Sequence, residues 1–437
     1  MDRTSIPIEQ EPSASSAPVP VKHSLFQLGT IIIAGAAANY ASATVGPLQE
    51  TMRIALGLTD NQISVLQGPA LYLPSIAVGI PLGFLIDRLS RARLLVIFTA
   101  LEVLGSVLTA LAPTFAVLLL ARALIGSMQS ANAMNASALV AEFVSPNQRG
   151  RTLMILGIAQ VAGISAAFAL GGRLVAAYGA EPNSWRWTML WLAAPVVVTL
   201  VLTFWVREPP RMDGARREVV WRAAFAGLWR YRAMLLPLAL GQVLVVMGYT
   251  GTLVWSAPLL ARNFHLPPDR IGAIVGLVLL VSGLLGPLLG GVLVDLCQRT
   301  GGLRRTVTLM IVLALLQVPV GFYALMPTVS WVSLLLGALC TICSMKGIVC
   351  TTATTVAIPE ELLGLSFGVL SAISAVFVSL SPVAVSMLAG RIGGPASMGQ
   401  ALTGVCVVTS LLGAATFAVG RRYFPAASVQ GVALTQS

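Results

Sequence analysis

The stretch GFLID at residues 83–87 ends the second long apolar segment of this chain, and GVLVD at residues 291–295 ends the eighth. Both copies follow the pattern Gly-x-Leu-x-Asp, and basic residues come soon after each of them. A pattern that recurs at matching places in a membrane chain indicates internal duplication. We therefore predict two related halves with six apolar segments each.

The apolar segments themselves define the class of protein. Twelve of them, each about 20 residues long, fill most of the 437 residues, and a helix of that length crosses a hydrocarbon layer of about 30 Å. Hydrophobic residues make up 57% of the chain and charged residues 10%, which excludes a soluble protein. The predicted fold class is an all-α membrane protein with twelve transmembrane helices in two pseudo-symmetric six-helix bundles.

The polar stretches divide the chain into five regions. The N-terminal stretch at 1–22 is polar, rich in Pro and Ser, and lacks the features of a secretory signal, so we expect a disordered tail. The long charged loop at 207–232 separates the two sets of six segments. The predicted regions are a cytoplasmic tail at 1–22, an N-terminal bundle at 23–206, a cytoplasmic linker at 207–232, a C-terminal bundle at 233–424 and a cytoplasmic tail at 425–437.

Basic residues set the expected orientation. Most of the 27 Lys and Arg residues lie in every second loop and in the terminal tails, so the positive-inside rule predicts that both termini are cytoplasmic. The location predicted is a cell (inner) membrane. The net charge of +11 is spread over loops, whereas a nucleic-acid binder gathers basic residues on one face. The expected partners are a small-molecule substrate and the lipid bilayer, with the protein a monomer and no nucleic acid bound.

Two short motifs carry a family resemblance. GFLIDRLSRAR at residues 83–93 resembles the loop signature of the major facilitator superfamily, and Arg122 followed by Gly126 resembles its second motif. LGLTDNQISVLQG at 56–68 and VREPPR at 206–211 look like the Spinster-like branch of that superfamily, as do Tyr249, Trp255 and Pro258. The resemblance covers about the whole chain. It implies the major facilitator fold and, for the narrower branch, export of lysolipids or sphingoid lipids with proposed proton coupling.

The chain departs from the pattern of that branch at the acidic positions. An acidic residue is expected just after the Asn39-Tyr40 pair, but Ala41 and Ser42 follow. A second acidic residue is expected in the fourth segment, but Gln129 occupies its position. Both expected proton carriers are therefore absent. Glu102 in the third segment is the one carboxylate deep enough in an apolar segment to be a proton-coupling candidate.

Charged side chains inside apolar segments are the primary candidates for function, because a charge in the bilayer is costly unless it meets protein, water or a partner. Arg122 is one of them, and Gln129, Asn132 and Asn135 follow it at spacings that keep the four roughly along one side of a helix. Arg122 could bind the acidic group of a substrate. Alternatively, it could pair with Glu102 or bond to backbone carbonyls.

Lys346 interrupts the tenth apolar segment. We expect it to line the central cavity opposite Arg122, and the alternative is that it extends toward the membrane interface. Cys340, Cys343 and Cys350 lie nearby, but no His is close in sequence, so packing between helices is favoured over a zinc site. No metal or cofactor is predicted.

Amide and aromatic side chains complete the predicted binding cavity, which the resemblance places among helices one, four, seven and ten. Joined to two cations in an apolar setting, they suit an amphipathic organic anion. The predicted substrate-binding residues are Asn39, Tyr40, Arg122, Gln129, Asn132, Gln242, Tyr249, Trp255 and Lys346.

The resemblance also implies a cytoplasmic gate around the first motif. In that family role, Asp87 acts near a helix end of the other half while Arg91 pairs with an acid such as Glu142. The predicted gate residues are Gly83, Asp87, Arg88, Arg91, Glu142 and Asp295.

These features favour a secondary transporter that works by alternating access on an amphipathic or lipid-like organic anion, with proton coupling left open. The alternatives are a general drug or metabolite exporter and a facilitated-diffusion carrier without proton coupling. An enzyme is not expected, because the two His residues, His23 and His265, lie at or outside segment ends and no paired nucleophile and base is found. No catalytic residue is therefore predicted.

Overall fold

The computed structural model describes residues 21–178, 183–208, 221–394 and 396–424, and all regular structure in these ranges is helical. The helices are α1 Val21–Ala43, α2 Val45–Ala55, α3 Asp60–Gln67, α4 Pro69–Arg88, α5 Arg91–Leu111, α6 Phe115–Phe143, α7 Pro146–Tyr178, α8 Ser184–Thr203, α9 Trp221–Arg230, α10 Arg232–Phe264, α11 Pro268–Val320, α12 Val329–Ala357, α13 Glu360–Ile392 and α14 Ser397–Gly420. Short 3-10 helices follow α11 and α14, at Gly321–Leu325 and Arg421–Tyr423.

Within the described residues, ten stretches are long and apolar enough to span a membrane. One of them, Pro268–Leu325, contains a break at Gly301 and Gly302, where the backbone leaves the helical region. Gly302 has φ 62°, which a residue with a side chain rarely adopts. The predicted number of twelve is reached when this stretch is divided at the break and the 20-residue helix α4 is counted as well.

Helices α6 and α12 show the internal duplication directly. Each is 29 residues long, and each begins directly after a threonine whose side chain accepts a hydrogen bond from the backbone N–H three positions on. Those caps are Thr114 and Thr328, and they satisfy one of the N–H groups left free at a helix start. The same local solution therefore appears at the same place in both halves.

Helices α1–α8 pack with one another, as do α10–α14, and the two sets meet mainly along α7 and α11. Gly172 of α7 faces Gly272 of α11 there. A Cβ atom on either glycine would lie 2.9 Å from the Cα of the other, so a larger residue would push the helices apart. Additional contacts between the halves join α3 and α4 to α13 and join α2 to α10.

The loops fall on two faces because consecutive spanning helices run in alternate directions. We call the face that holds the ends of the described chain the termini face, and the face with residues 56–59, 112–114, 265–267 and 326–328 the opposite face. Several hydrogen bonds and ion pairs join the two halves, and these lie from the middle of the body to the opposite face. The body is therefore closed toward the opposite face.

The outer surface of the bundle is apolar, as a lipid-facing surface must be. Large side chains such as Leu120 and Val292 are 70% and 68% exposed. The five predicted regions remain predictions: residues 1–20, 209–220 and 425–437 lie outside the described part, and α9 lies within the predicted linker.

Candidate functional site

Arg122 of α6 is buried in the first half, with 1% of its surface exposed. Its Nη2 donates hydrogen bonds to the carbonyl of Ser42 at 2.9 Å and to Oε1 of Gln67 at 3.0 Å, and its Nε donates to the carbonyl of Leu66 at 3.4 Å. Nη1 has no partner among the described residues. The backbone carbonyls expected as one alternative are thus present, and the two N–H groups of Nη1 are left over.

Two glutamines extend this arrangement across the two halves. Gln67 Nε2 donates to Gln49 Oε1 at 3.1 Å, and Gln49 Nε2 donates to the carbonyl of Val254 in α10 at 3.0 Å. Both glutamine side chains are buried. We call this chain of hydrogen bonds from Arg122 through Gln67 and Gln49 to Val254 the amide relay. Sequence reasoning missed both glutamines, because they lie outside the fourth helix that carries the arginine.

Glu102 does not pair with Arg122. It accepts hydrogen bonds from Asn132 Nδ2 at 3.2 and 3.4 Å and is fully buried. Helix α5 begins at Arg91 and the antiparallel neighbour α6 ends at Phe143. Glu102 and Asn132 are equally far from these two ends, so they lie at the same depth. Arg122 lies nearly three turns away from Asn132 along α6, about 15 Å by the rise of an α-helix. The ion pair considered as an alternative is therefore not formed in this structure, and the role of Glu102 in proton coupling stays a prediction.

Lys346 has a different position from the one expected. Its Nζ donates to Oε1 of Gln317 in the second part of α11, and both residues are fully buried. Gln317 in turn lies 4.0 Å from the Sγ of Cys406 in α14. All these partners belong to the second half, so the structure does not bring Lys346 together with Arg122. An ammonium inside an apolar bundle needs an oxygen acceptor, and the nearest one is on the neighbouring helix.

Asn132 and Lys346 occupy equivalent places in the duplicated fold. The two lie equally far along their helices, since α6 begins at Phe115 and α12 at Val329. Each bonds to a buried polar side chain on the preceding long helix, Glu102 in one half and Gln317 in the other. The duplication thus retains a buried polar pair in each half while changing its chemistry.

The predicted polar stripe of α6 divides between two neighbours. Gln129 Nε2 donates to Asn39 Oδ1 of α1 at 3.0 Å, and both side chains are half-buried. Asn132 and Asn135 instead face α5, where Asn135 donates to the carbonyl of Arg91 at 2.9 Å. Of the stripe, Gln129 and Arg122 therefore bond to α1, and Arg122 does so through the carbonyl of Ser42.

The predicted pocket residues of α1 and α10 differ in accessibility. Gln242 and Tyr249 are half-buried, and Oε1 of Gln242 has no partner among the described residues. Tyr40 is buried, and its hydroxyl also has no described partner. Trp255 is fully buried and donates to the carbonyl of Pro382 at 3.1 Å, so its side chain holds α10 to α13.

The contact predicted for the gate on the termini face is present. Arg91 forms an ion pair with Glu142, and its backbone N–H donates to Glu208 at 3.1 Å. All three belong to the first half or its end, and the gating role stays a prediction. Gly83 lies in α4, Arg88 and Asp295 are exposed at helix positions on this face, and the side chain of Asp87 lies outside the described part.

An ionic cluster on the opposite face went unpredicted. Arg262 at the end of α10 donates to Glu50 Oε2 at 2.8 and 3.2 Å and to both oxygens of Asp60 at 2.8 Å, which joins the two halves. Arg53 pairs with Glu50 within the first half at 2.7 Å. Partial burial alone would raise the pKa of Asp60, but the hydrogen bonds and charge of Arg262 outweigh it and lower the pKa. A cavity of about 810 Å³, partly lined by His265, lies beside the cluster.

The described residues contain no group of three or more His, Cys, Asp or Glu side chains placed to hold a metal ion. The five cysteines are free thiols, and Cys340, Cys343 and Cys350 are buried between helices. No residue is therefore assigned to a metal or cofactor.

Comparison with known proteins gives a family match. Residues 31–382 match the family described as Major Facilitator Superfamily. Among solved structures, a bacterial homologue of the human lysosomal transporter Spinster, in an inward-facing and unoccupied conformation, superposes with a TM-score of 0.80 at 18% identity, covering 93% of this chain and 98% of that one. A D-xylose-proton symporter gives a TM-score of 0.70 at 15% identity, covering 90% and 97%. At these identities the likeness concerns the fold.

Sequence relatives match over shorter regions. The inner membrane transport protein YdhP of Escherichia coli is 28% identical over 255 residues, which is 57% of this chain and 61% of that protein. A probable 4-methylmuconolactone transporter of Cupriavidus pinatubonensis is 29% identical over 222 residues, or 49% and 50%. Solute carrier family 22 member 1 of Oryctolagus cuniculus is 37% identical over 132 residues, or 30% and 22%. The chain thus spans between about a fifth and three fifths of the length of these relatives.

Proposed function

We propose that this chain, which belongs to the Major Facilitator Superfamily and is a membrane transporter, carries an amphipathic or lipid-like organic anion by alternating access. In this proposal the bundles at 23–206 and 233–424 move against each other about the linker at 207–232. The termini face is taken as cytoplasmic, in agreement with the excess of basic residues in its loops. The protein acts as a monomer in an inner membrane.

The observation that carries the proposal is the unpaired Nη1 of Arg122. No ion pair between Arg122 and a carboxylate is found among the described residues. Carbonyl and amide oxygens satisfy two of its nitrogens but leave the positive charge uncompensated. A buried charge without a counter-ion costs several kcal/mol, and a carboxylate, phosphate or sulfate of the substrate would remove much of that cost.

The apolar part of the substrate is supported by the setting of this charge. Half-buried amide and aromatic groups, Gln129, Gln242 and Tyr249, lie on helices whose other positions are largely apolar. Such a surface suits a molecule with one anionic end and a hydrocarbon or ring system. The likeness to a probable 4-methylmuconolactone transporter agrees with an organic substrate.

Lys346 takes a smaller part in this proposal than the sequence suggested. Its ammonium is bonded to Gln317 inside the second half, so a contact with substrate would require that bond to break. The acidic group is therefore assigned to Arg122. General drug or metabolite export and facilitated diffusion without proton coupling remain the alternative functions.

The test is uptake into proteoliposomes by Arg122→Gln, Arg122→Lys and, as a matched control, Arg391→Gln, whose side chain is exposed at the end of α13. A panel of single-chain phosphates, carboxylates and their zwitterionic counterparts serves as substrate. Loss of a charge-assisted hydrogen bond costs about 1.5–3 kcal/mol, so we expect uptake of anions by Arg122→Gln to fall about tenfold or more. Anion uptake within twofold of the control would refute the proposal, and size-exclusion profiles establish that each variant is folded.

A further inference from the structure

Most of the side-chain hydrogen bonds and ion pairs that close the opposite face come from one short part of the first half, and α7 adds the bond of Ser165 to the carbonyl of Gly276 in α11. We call residues 45–68, which contain α2 and α3, the gate segment. From it, Gln49 bonds to the backbone of α10, Glu50 and Asp60 hold Arg262, and Ser64 Oγ lies 3.0 Å from Ser386 Oγ of α13. The backbone of its last residue also lies against α13. Opening toward the opposite face therefore requires this segment to separate from the second half.

Arg122 holds the same segment from the membrane interior. Its Nε and Nη2 donate to the carbonyl of Leu66 and to the side chain of Gln67, which end α3. The buried guanidinium is thus attached both to the gate segment and, through the amide relay, to the second half. A change in the partners of Arg122 would therefore change the hydrogen bonds that hold the gate segment.

The direction of every hydrogen bond in the amide relay is fixed by its two ends. A guanidinium can only donate, so Gln67 must present its oxygen to Arg122 and its nitrogen to Gln49. The carbonyl of Val254 can only accept, so Gln49 must present its nitrogen to Val254 and its oxygen to Gln67. Neither glutamine can turn over without breaking a bond at an end. The relay therefore behaves as one unit in which the loss of the first bond weakens the last.

We propose that Gln67 and Gln49 are positioning residues that couple an anion at Arg122 to release of the gate segment. This inference rests on the proposed function of Arg122 as the anion contact. An anion that bonds to Nη1 and Nη2 together competes with Gln67 for Nη2. Gln67 then loses the acceptor orientation that positions Gln49, and the bond between Gln49 and Val254 is weakened. The empty carrier stays closed toward the opposite face, and the occupied carrier is freed to open.

A cysteine pair in place of Ser64 and Ser386 reports on closure, since the two hydroxyl oxygens touch across the halves. The rate of disulfide formation with an added oxidant measures the closed population. The single variants Ser64→Cys and Ser386→Cys control for the five native cysteines, of which four are buried and Cys297 is half-buried. Reduction restores the starting state and establishes that the signal is the disulfide.

In this reporter background we expect Gln49→Leu and Gln67→Leu to form the disulfide more slowly, by up to about fivefold, the limit for a loss of about 1 kcal/mol. Gln27→Leu is the matched control, because Gln27 is also a buried glutamine but lies near the start of α1. Gln67→Glu places a carboxylate beside Arg122 and removes the donor to Gln49, so it should slow the reaction as bound anion does. Rates for Gln49→Leu and Gln67→Leu equal to that of Gln27→Leu would overturn the proposal.

The response to an anion separates this inference from the proposed function. Decyl phosphate and decylphosphocholine carry the same chain, and below their critical micelle concentrations only the former should slow the disulfide reaction, with no further effect in Gln67→Glu. If decyl phosphate stabilises the protein thermally through Arg122 but leaves the disulfide rate unchanged, the coupling is refuted and anion binding stands. If neither thermal stability nor transport depends on Arg122, the proposed function itself fails.

Discussion

Removing Arg262 should open the body toward the opposite face. Its guanidinium makes two hydrogen bonds to Glu50 and two to Asp60, at 2.8–3.2 Å, and both ion pairs cross between the halves. The Arg262 side chain is 28% exposed, so water and salt screen the pairs in part. Arg262→Ala is therefore a test of how much an ionic contact contributes to the closed state.

The expected size of the effect follows from the geometry. An exposed ion pair contributes up to about 1 kcal/mol, and the paired hydrogen bonds to Asp60 place these two near the upper end of that range. Loss of both pairs should shift the balance between closed and open by about 1–2 kcal/mol, or about 5–30-fold. The disulfide rate of the Ser64→Cys and Ser386→Cys pair should therefore fall at low salt, by at most that factor because the rate follows the closed fraction.

Arg53→Ala is the matched control for this measurement. Arg53 belongs to the same cluster and pairs with Glu50, but both residues lie in α2, so its loss removes no described bond between halves. High salt should slow the disulfide reaction in the wild-type reporter and have little effect in Arg262→Ala, because the screened interaction is already gone. Equal rates for Arg262→Ala and Arg53→Ala would refute the reasoning that the cluster holds the face closed.

Three further outcomes are expected. Arg262 lowers the pKa of Asp60 in the closed state, so the ionic contribution to closure is present above the ordinary pKa of 3.8 and is lost as the pH falls through the lowered pKa. The measurement is a slower disulfide rate in acid, and an unchanged rate would contradict this prediction. Gln317→Leu should destabilise the protein by about 3–5 kcal/mol, because it leaves the buried ammonium of Lys346 without its acceptor. Adding Lys346→Met should restore most of the lost stability in thermal unfolding. Equal melting temperatures of the single and double variants would contradict the pairing. Glu102→Gln should flatten the pH dependence of uptake if the protein is proton-coupled through that residue, and an unchanged profile would favour the uncoupled alternative.

The parts of the fold that depend on local sequence were predictable. Apolar length predicts spanning helices, and the recurrence of Gly-x-Leu-x-Asp predicts the duplication that the capped starts of α6 and α12 display. The break within α11 coincides with two adjacent glycines, which the sequence also shows. The closed opposite face could not be predicted, because it depends on how two rigid bundles are oriented and the sequence contains no local signal of that orientation.

The sequence predicted how far along its helix each site residue lies better than it predicted which neighbour each side chain contacts. Counting residues at about 1.5 Å each predicts that Glu102, Arg122 and Lys346 lie deep within their segments, and all three side chains are buried inside the bundle. Which neighbour each side chain meets depends on the rotation of every helix about its axis. A periodic pattern on one helix does not give the rotation of the next, so Glu102 meets Asn132 and Lys346 meets Gln317. The sequence marked residues 56–68 of the gate segment as a family motif, but the contacts of the segment with the second half depend on the packing of the two bundles and were not predicted.

Two devices of different chemistry hold the opposite face closed, and they differ in what can release them. The ionic cluster around Arg262 lies near the surface, where salt and protons act on it, while the amide relay is buried and responds only to what Arg122 binds. Together they contribute about 2–3 kcal/mol, from about 1–2 for the two ion pairs and about 1 for the relay. One charge-assisted bond from a substrate anion, at about 1.5–3 kcal/mol, is of the same size. A substrate that binds Arg122 more tightly in the open state can therefore shift the equilibrium, whereas one that binds both states equally cannot.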